Sequence, residues 1–186
     1  MTSDLVARAQ RGDREAFDAL ATDAYDRLHA IARRILRDGY AADDAVQDTL
    51  IRAWRDLRSL RDVDRFDAWL HRLLIRACQD HARGTRRRAV EVGALEVDQS
   101  ETPDEYATVV TRDELERAFL KLSIEQRSVL VLTHYVGLPA PEVAVILGIP
   151  PGTVHSRLHY GIRMMRTALS RSSSDGAPAA LAEQVP

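Results

Sequence analysis

The stretch PAPEVAVILGIPPGTVHSRLHYGIRMMRTALSR, residues 139–171, holds two short helical patterns on either side of one tight turn. Pro141 opens the first, with Val143, Ala144 and Leu147 turned inward, and Gly148 closes it. Ile149 seals the corner, and Pro151 opens the second helix, since proline is tolerated at a first helical position. Val154, Leu158, Ile162, Met165 and Leu169 recur at three- and four-residue steps and form its inner stripe. Ala144 is small, as close helix approach at such a turn requires. The pattern is that of a helix-turn-helix. Opposite the inner stripe stand Thr153, His155, Ser156, Arg157, His159 and Arg163, donors and acceptors of the kind that read base edges and phosphates. From Val143 to Arg171 there are four arginines and no acid. A solvated amphipathic helix is the plainer alternative, but it does not explain the caps, the small alanine and the acid-free face together. His155 and His159 are four apart, yet no third ligand of suitable spacing is near, so no metal is expected.

Upstream, Ser123 reads as an N-cap with Gln126 three residues on, a capping-box pattern. Val129, Leu130, Leu132 and Thr133 carry that helix to Gly137. Leu115, Ala118, Phe119 and Leu122 form the stripe before it.

The N-terminal half is also helical. Phe17, Leu20, Ala21, Ala24, Tyr25, Leu28, Ile31, Ala32 and Ile35 share one face, and Gly39 is read as the stop. A second helix is expected from Asp43 or Asp44, with Val46, Leu50, Ala53, Trp54 and Leu57 inward. RSLRDVDR (58–65) reads as a loop. A third helix carries Phe66, Trp69, Leu70, Leu73, Leu74 and Ala77 and is expected to end near Gly84. The only strand signal is short and weak, around Val90–Val97.

The fold class is therefore all-α: two small helical domains joined by an acidic flexible linker. The divisions fall at 1–88, 89–111 (linker), 112–171 and 172–186 (a disordered Ser/Ala/Pro-rich tail). The net charge of −2 on 186 residues hides this order. Residues 1–88 carry a net +3, residues 89–116 a net −8, residues 117–171 a net +5, and residues 172–186 a net −2. Two basic blocks suited to polyanions flank an acidic joint that is not.

Composition excludes other classes. With 45% hydrophobic and 29% charged residues the chain is neither wholly disordered nor a membrane protein. No apolar run reaches membrane-spanning length, and the charged N-terminus MTSDLVARAQRGDR lacks a signal-peptide core, so a cytoplasmic protein without membrane insertion is expected. Cys78 is the one cysteine, so no disulfide framework or multi-cysteine zinc site arises. It reads as a small helix-face residue.

Two clusters in the first block carry function. Phe66 and Trp69 follow Arg58, Arg61 and Arg65 and precede Arg72, Arg76 and Arg83. Aromatics interleaved with arginines can receive unstacked bases and hold single-strand phosphates, although aromatics at helical spacing are more often core. Asp43, Asp44, Gln47 and Asp48 form a carboxylate set, best read as helix-start chemistry with a protein-contact role open.

AADDAVQDTLIRAW (41–54), followed by RFDAWLHRLLIRACQDHAR (65–83), resembles region two of the extracytoplasmic-function (ECF) sigma factors of bacterial RNA polymerase. LSIEQRSVLVLTHYVGLPAPEVAVILGIPPGTVHSRLHYGIRMMR (122–166), with GTVHSRL at 152–158, resembles their region four. The resemblance implies that Asp44, Gln47, Asp48 and Arg52 dock on the clamp helices of the polymerase core. It implies that Arg58, Arg61, Arg65, Phe66, Trp69, Arg72, Arg76 and Arg83 read and melt the minus-ten promoter element. Region four is implied to bind minus-thirty-five duplex through the 153–163 face and to touch the polymerase flap. Promoter DNA, core polymerase and an anti-sigma factor are the implied partners, with no cofactor, metal or catalytic residue. This sequence departs from the family's pattern at Arg76 (usually asparagine), at His155 (usually lysine or arginine) and at Tyr160-Gly161 (usually arginine-alanine). The alternative is a dimeric helix-turn-helix regulator acting on duplex DNA without polymerase. An enzyme built on the 43–48 carboxylates lacks a nucleophile, a ligand set and a phosphate loop.

Overall fold

The computed structural model describes residues 2–91 and 115–175, with side chains over 2–87 and 115–167. All regular structure among them is helical. The linker residues 92–111, the tail 176–186, most of the weak strand signal at 90–97 and the side chain of Leu169 lie outside the described residues.

Helix α1 (Thr2–Gln10) precedes the first expected helix and buries Val6 and Ala9. Helix α2 (Arg14–Leu36) begins at Asp13, whose carboxylate accepts the Ala16 amide at 3.0 Å. It ends at Arg37, which adopts φ 64° while its amide donates to Arg33 O at 2.9 Å. A left-handed C-cap on a non-glycine residue stops the helix before Gly39 can. Gly39 instead starts helix α3 (Gly39–Asp56), because Asp38 accepts the Ala41 amide at 3.1 Å. The expected start at Asp43 or Asp44 is thus one turn late; both aspartates already lie within the helix. Ala42, Ala45, Val46 and Ala53 are small enough for α3 to lie close on α2 and α4. The predicted inward residue Trp54 remains 41% exposed at the rim, its ring 4.9 Å from that of Phe17.

The 58–65 loop is built from two 3₁₀ turns, Leu57–Ser59 and Val63–Arg65. Gln10 pins it: its side-chain amide donates to Leu57 O at 3.1 Å and to Leu60 O at 2.7 Å. Helix α4 (Phe66–Glu91) then runs straight through Gly84, the expected stop. A lone glycine costs a helix only about 1 kcal/mol against alanine, and the arginines after it are good helix formers. The helix therefore reaches into the first residues assigned to the linker.

In the second block, residues 115–120 form helix α5. Leu115 is exposed at its edge rather than inward. Helix α6 (Ile124–Leu130) opens with a complete capping box: Ser123 Oγ accepts the Gln126 amide, and Gln126 Oε1 accepts the Ser123 amide at 2.9 Å. It continues as a π-helical turn over Val131–Tyr135, where the Val136 amide reaches Val131 O at 3.0 Å. Helix α7 (Ala140–Leu147) and helix α8 (Pro151–Asp175) follow, so α8 extends four residues into the expected tail.

The two blocks pack on each other. α7 lies on α4, while α6 and the π turn lie on α2, and buried apolar side chains run across the junction. Polar contacts among the described residues fasten it. Arg37 Nη2 meets Glu116 Oε2 at 2.9 Å, the Arg34 guanidinium lies 3.7 Å over the Tyr135 ring, and Arg72 Nη2 donates to Val145 O at 3.0 Å.

Candidate nucleic-acid interface

The turn between α7 and α8 forms as its residues dictate. Gly148 takes φ 65°, which a side chain disfavours, and the Ile149 amide returns to Ala144 O at 3.1 Å. Ala144 is buried, and Val154, fully buried, anchors the first turn of α8. The opposite face is open: His155, Ser156, His159 and Arg163 are exposed, and Thr153 and Arg157 are half-buried beside them. The six predicted residues therefore form one contiguous stripe along the first turns of a helix placed as a helix-turn-helix places its reading helix.

Two residues in and under this stripe carry roles that the sequence pattern had not assigned. Tyr160 is exposed one turn beyond Ser156, and the Arg163 guanidinium sits 5.2 Å from its ring centroid. Gly161 lies beneath, where a Cβ would stand 3.1 Å from Leu130 Cδ1. The Tyr160-Gly161 pair thus puts an aromatic ring outward and lets α8 close on α6. The helical step from Ser156 was the available signal for Tyr160. Electrostatics tie α8 to α6 as well. Burial works to raise the Glu125 carboxyl, but the Ser123 hydroxyl, its own backbone and the nearby Arg157 and Arg127 outweigh it and hold the carboxyl below its usual value.

On α3, Asp44 and Gln47 are exposed. Asp48 is half-buried against His81 Nε2 at 3.1 Å, and Arg52 meets Asp80 at 3.3 Å. Asp43 turns the other way, toward His29 Nε2 at 3.2 Å and the Tyr25 hydroxyl at 3.3 Å. The carboxylates thus spread along the helix into separate pairings. Among the described residues no three His, Cys, Asp or Glu side chains converge on a metal position. Ile51, exposed one turn after Gln47, places an apolar side chain on the same face. An apolar residue off the core stripe was the signal for it.

The third set surrounds the start of α4. Arg58, Arg61, Arg65, Arg76 and Arg83 are exposed. Arg65 pairs with Asp62 at 3.2 Å and Arg83 with Asp80 at 2.7 Å. Trp69 is half-buried, its ring centroid 6.0 Å from that of Phe66. Phe66 is 4% exposed, so in this arrangement its ring belongs to the core and only Trp69 offers an edge. Arg72 is turned toward α7. Between Arg72, Arg76 and Gln79 on one side and Leu147 and Gly148 on the other lies a cleft of about 210 Å³. Cys78, on the inner face of α4, is fully buried, and burial pushes its thiol up to about 12, which leaves it inert at neutral pH.

Comparison with known proteins gives this arrangement its family. The Sigma-70 region 2 family matches residues 20–88, and the Sigma-70, region 4 family matches residues 112–165. The ECF RNA polymerase sigma factor SigM of Mycobacterium tuberculosis is 37% identical over 155 residues, 83% of this chain and 78% of that protein. The RNA polymerase sigma-H factor of Pseudomonas aeruginosa is 31% identical over 166 residues, 83% of this chain and 86% of its own. CnrH, solved in complex with the cytosolic domain of CnrY, superposes with a TM-score of 0.66 at 29% identity, covering 91% of this chain and 97% of CnrH. The RpoE sigma factor of Bartonella quintana, solved with the anti-sigma factor NepR, has a TM-score of 0.69 at 24% identity over 83% of this chain and 96% of its own, a likeness of fold.

The chain belongs to the ECF family of RNA polymerase sigma factors. It directs RNA polymerase to promoters and, as a factor of this class, carries no catalytic reaction of its own. The region-two match decides against a regulator built on the helix-turn-helix alone. No helix among the described residues is long and apolar enough to cross a membrane.

Proposed function

We propose that residues 1–88 and 112–171 act as two separate readers of one promoter, joined by the acidic 89–111 segment. The α8 face (Thr153, His155, Ser156, Arg157, His159 and Arg163) takes the minus-thirty-five element as duplex. The arginines of the 58–65 loop and of α4, with Trp69, take the opened minus-ten strand. Capturing a base there costs a few kcal/mol of unstacking, which contacts to the splayed strand offset. Asp44, Gln47, Asp48 and Arg52 form the contact with the polymerase clamp, and region four meets the flap.

The observation that carries this reading is the acid-free, exposed stripe on α8 directly after a glycine-capped turn. Neither block is strongly basic, so affinity for free DNA is low. Polymerase supplies the missing avidity by holding both blocks at the right separation. The chain works in the cytoplasm with core polymerase, and, by analogy with RpoE of Bartonella quintana bound to the anti-sigma factor NepR, an anti-sigma protein holds it in check.

Run-off transcription with cognate core polymerase on genomic templates, followed by start-site mapping, tests the whole reading. Promoter-dependent starts are expected only when the protein is added. Absence of any start would sink it.

A further inference from the structure

The 58–65 loop has little regular structure of its own. It holds two short 3₁₀ turns, with Leu60 extended after the first at ψ 109°. Its three arginines, Arg58, Arg61 and Arg65, carry like charges that favour spreading. Helix α1 meets this loop from behind. Gln10, the last residue of α1, donates from its side-chain nitrogen to Leu57 O at 3.1 Å and to Leu60 O at 2.7 Å. Only the NH₂ of a glutamine can serve two carbonyls, so its amide has one orientation here. Ser3, in the first turn of α1, donates from Oγ to Asp64 Oδ1 at 2.7 Å. The three contact points share a register: Leu57, Leu60 and Asp64 each stand directly before one of the arginines. The two carbonyls that Gln10 holds belong to the peptide planes leading into Arg58 and Arg61, and a peptide plane turns as one body. Beside them, Gly12 in the turn after α1 takes φ 96°, and a Cβ there would stand 3.7 Å from Arg58 Nη2, so the Arg58 guanidinium lies along that turn.

We propose that α1 is the template of this loop and that Gln10 is a positioning residue for minus-ten recognition, a role that rests on the assignment of the loop to the opened strand. Gln10 touches no DNA. It fixes the two peptide planes from which Arg58 and Arg61 project, while Ser3 secures the end that carries Arg65. Reading residues on a loop gain specificity when a rigid element sets their directions. Ordering the loop before the strand arrives removes a cost that binding would otherwise bear. A loop without these bonds keeps its arginines and its charge, so it still attracts phosphates. What it loses is the fixed geometry that separates one sequence from another. α1 has few core residues, Val6 and Ala9 alone being buried, and its polar side chains at both ends are committed to the loop.

The test uses the polymerase holoenzyme and a promoter found by start-site mapping. Fluorescence anisotropy gives the ratio of affinities for the labelled minus-ten single strand and for a scrambled strand of the same composition. Gln10→Met keeps the side-chain length and removes both donors. It should lower this ratio about tenfold, the effect of two lost hydrogen bonds, and slow strand opening on duplex promoter. Affinity for core polymerase and for minus-thirty-five duplex should not change. Gln10→Lys, whose ammonium donates to carbonyls, should restore most of the ratio, and a ratio cancels the general attraction of the added charge. Ser3→Ala should cause a smaller loss in the same direction. An unchanged ratio in Gln10→Met would overturn the proposal. So would equal losses in core and minus-thirty-five binding, which mark a general loss of structure, or a Gln10→Lys variant no better than Gln10→Met. Arg58→Ala with Arg61→Ala separates the underlying assignment: a normal ratio and normal opening there would remove the loop from the minus-ten site, whatever the Gln10 variants show.

Discussion

Gly161 lies against Leu130 so closely that a Cβ at 161 would stand 3.1 Å from Leu130 Cδ1, with Leu122 behind it. α8 can close on α6 because position 161 has no side chain. Gly161→Leu should therefore lower stability by about 1–3 kcal/mol through overpacking, seen as an earlier urea midpoint. Gly161→Ala should be near neutral, since the helix-propensity gain of about 1 kcal/mol opposes the clash.

Arg127 supplies a second prediction. Its Nε and Nη1 are buried and meet no acceptor among the described residues. Burial, with Arg37 nearby, holds its guanidinium below the usual value against the weaker pull of Glu125. An unsatisfied buried donor costs about 1–3 kcal/mol. Arg127→Met, of similar length and no charge, should raise the melting temperature. An unchanged or lower melting temperature would show that the guanidinium is satisfied in solution.

The cap of α2 should titrate. The Ala16 amide, then Arg8 at 2.7 Å, hold the Asp13 carboxyl below the ordinary aspartate range against a small burial cost. A depressed folded value means that the stabilising contribution is complete above the ordinary aspartate value and is lost as pH falls through the depressed one. Thermal melts from about pH 5 down to about pH 2 should show a steeper acid limb for the wild type than for Asp13→Asn, which keeps an acceptor at the cap.

These caps mark where the sequence was most readable. Ser123 with Gln126, Gly148 and Pro151 act within four residues of themselves, so the helix-turn-helix and its exposed face follow from local chemistry. Other features answer to forces that local pattern does not carry. α1 has only Val6 and Ala9 as buried residues, too few to show a period. Arg37 takes a left-handed conformation without being glycine, which moved the α2–α3 boundary. Phe66 and Trp69 have one sequence signature and different burial, because packing within the first block covers the former. The bond from Arg72 to Val145 joins residues 73 apart, and no periodicity announces it.

Arg157→Ala should weaken binding of the holoenzyme to minus-thirty-five duplex by about 1–3 kcal/mol and relax preference within that element. Footprinting on wild-type and scrambled promoters checks both. Unchanged occupancy and preference would return Arg157 to a role in holding α8 near Glu125.

Trp69→Ala should leave core binding intact and impair strand opening, which permanganate reactivity of unpaired thymines reports. Normal melting would return Trp69 to the core beside Phe66.

The unbroken run of α4 through Gly84 has a mechanical meaning. Seven residues beyond that glycine, at 1.5 Å each, make a stiff spar of about 10 Å. The acidic stretch is launched from the tip of this spar, not from the first bundle itself. Under the proposal of two readers on one promoter, the spacing the chain permits between promoter elements depends on the length and direction of this spar as well as on the residues that follow it.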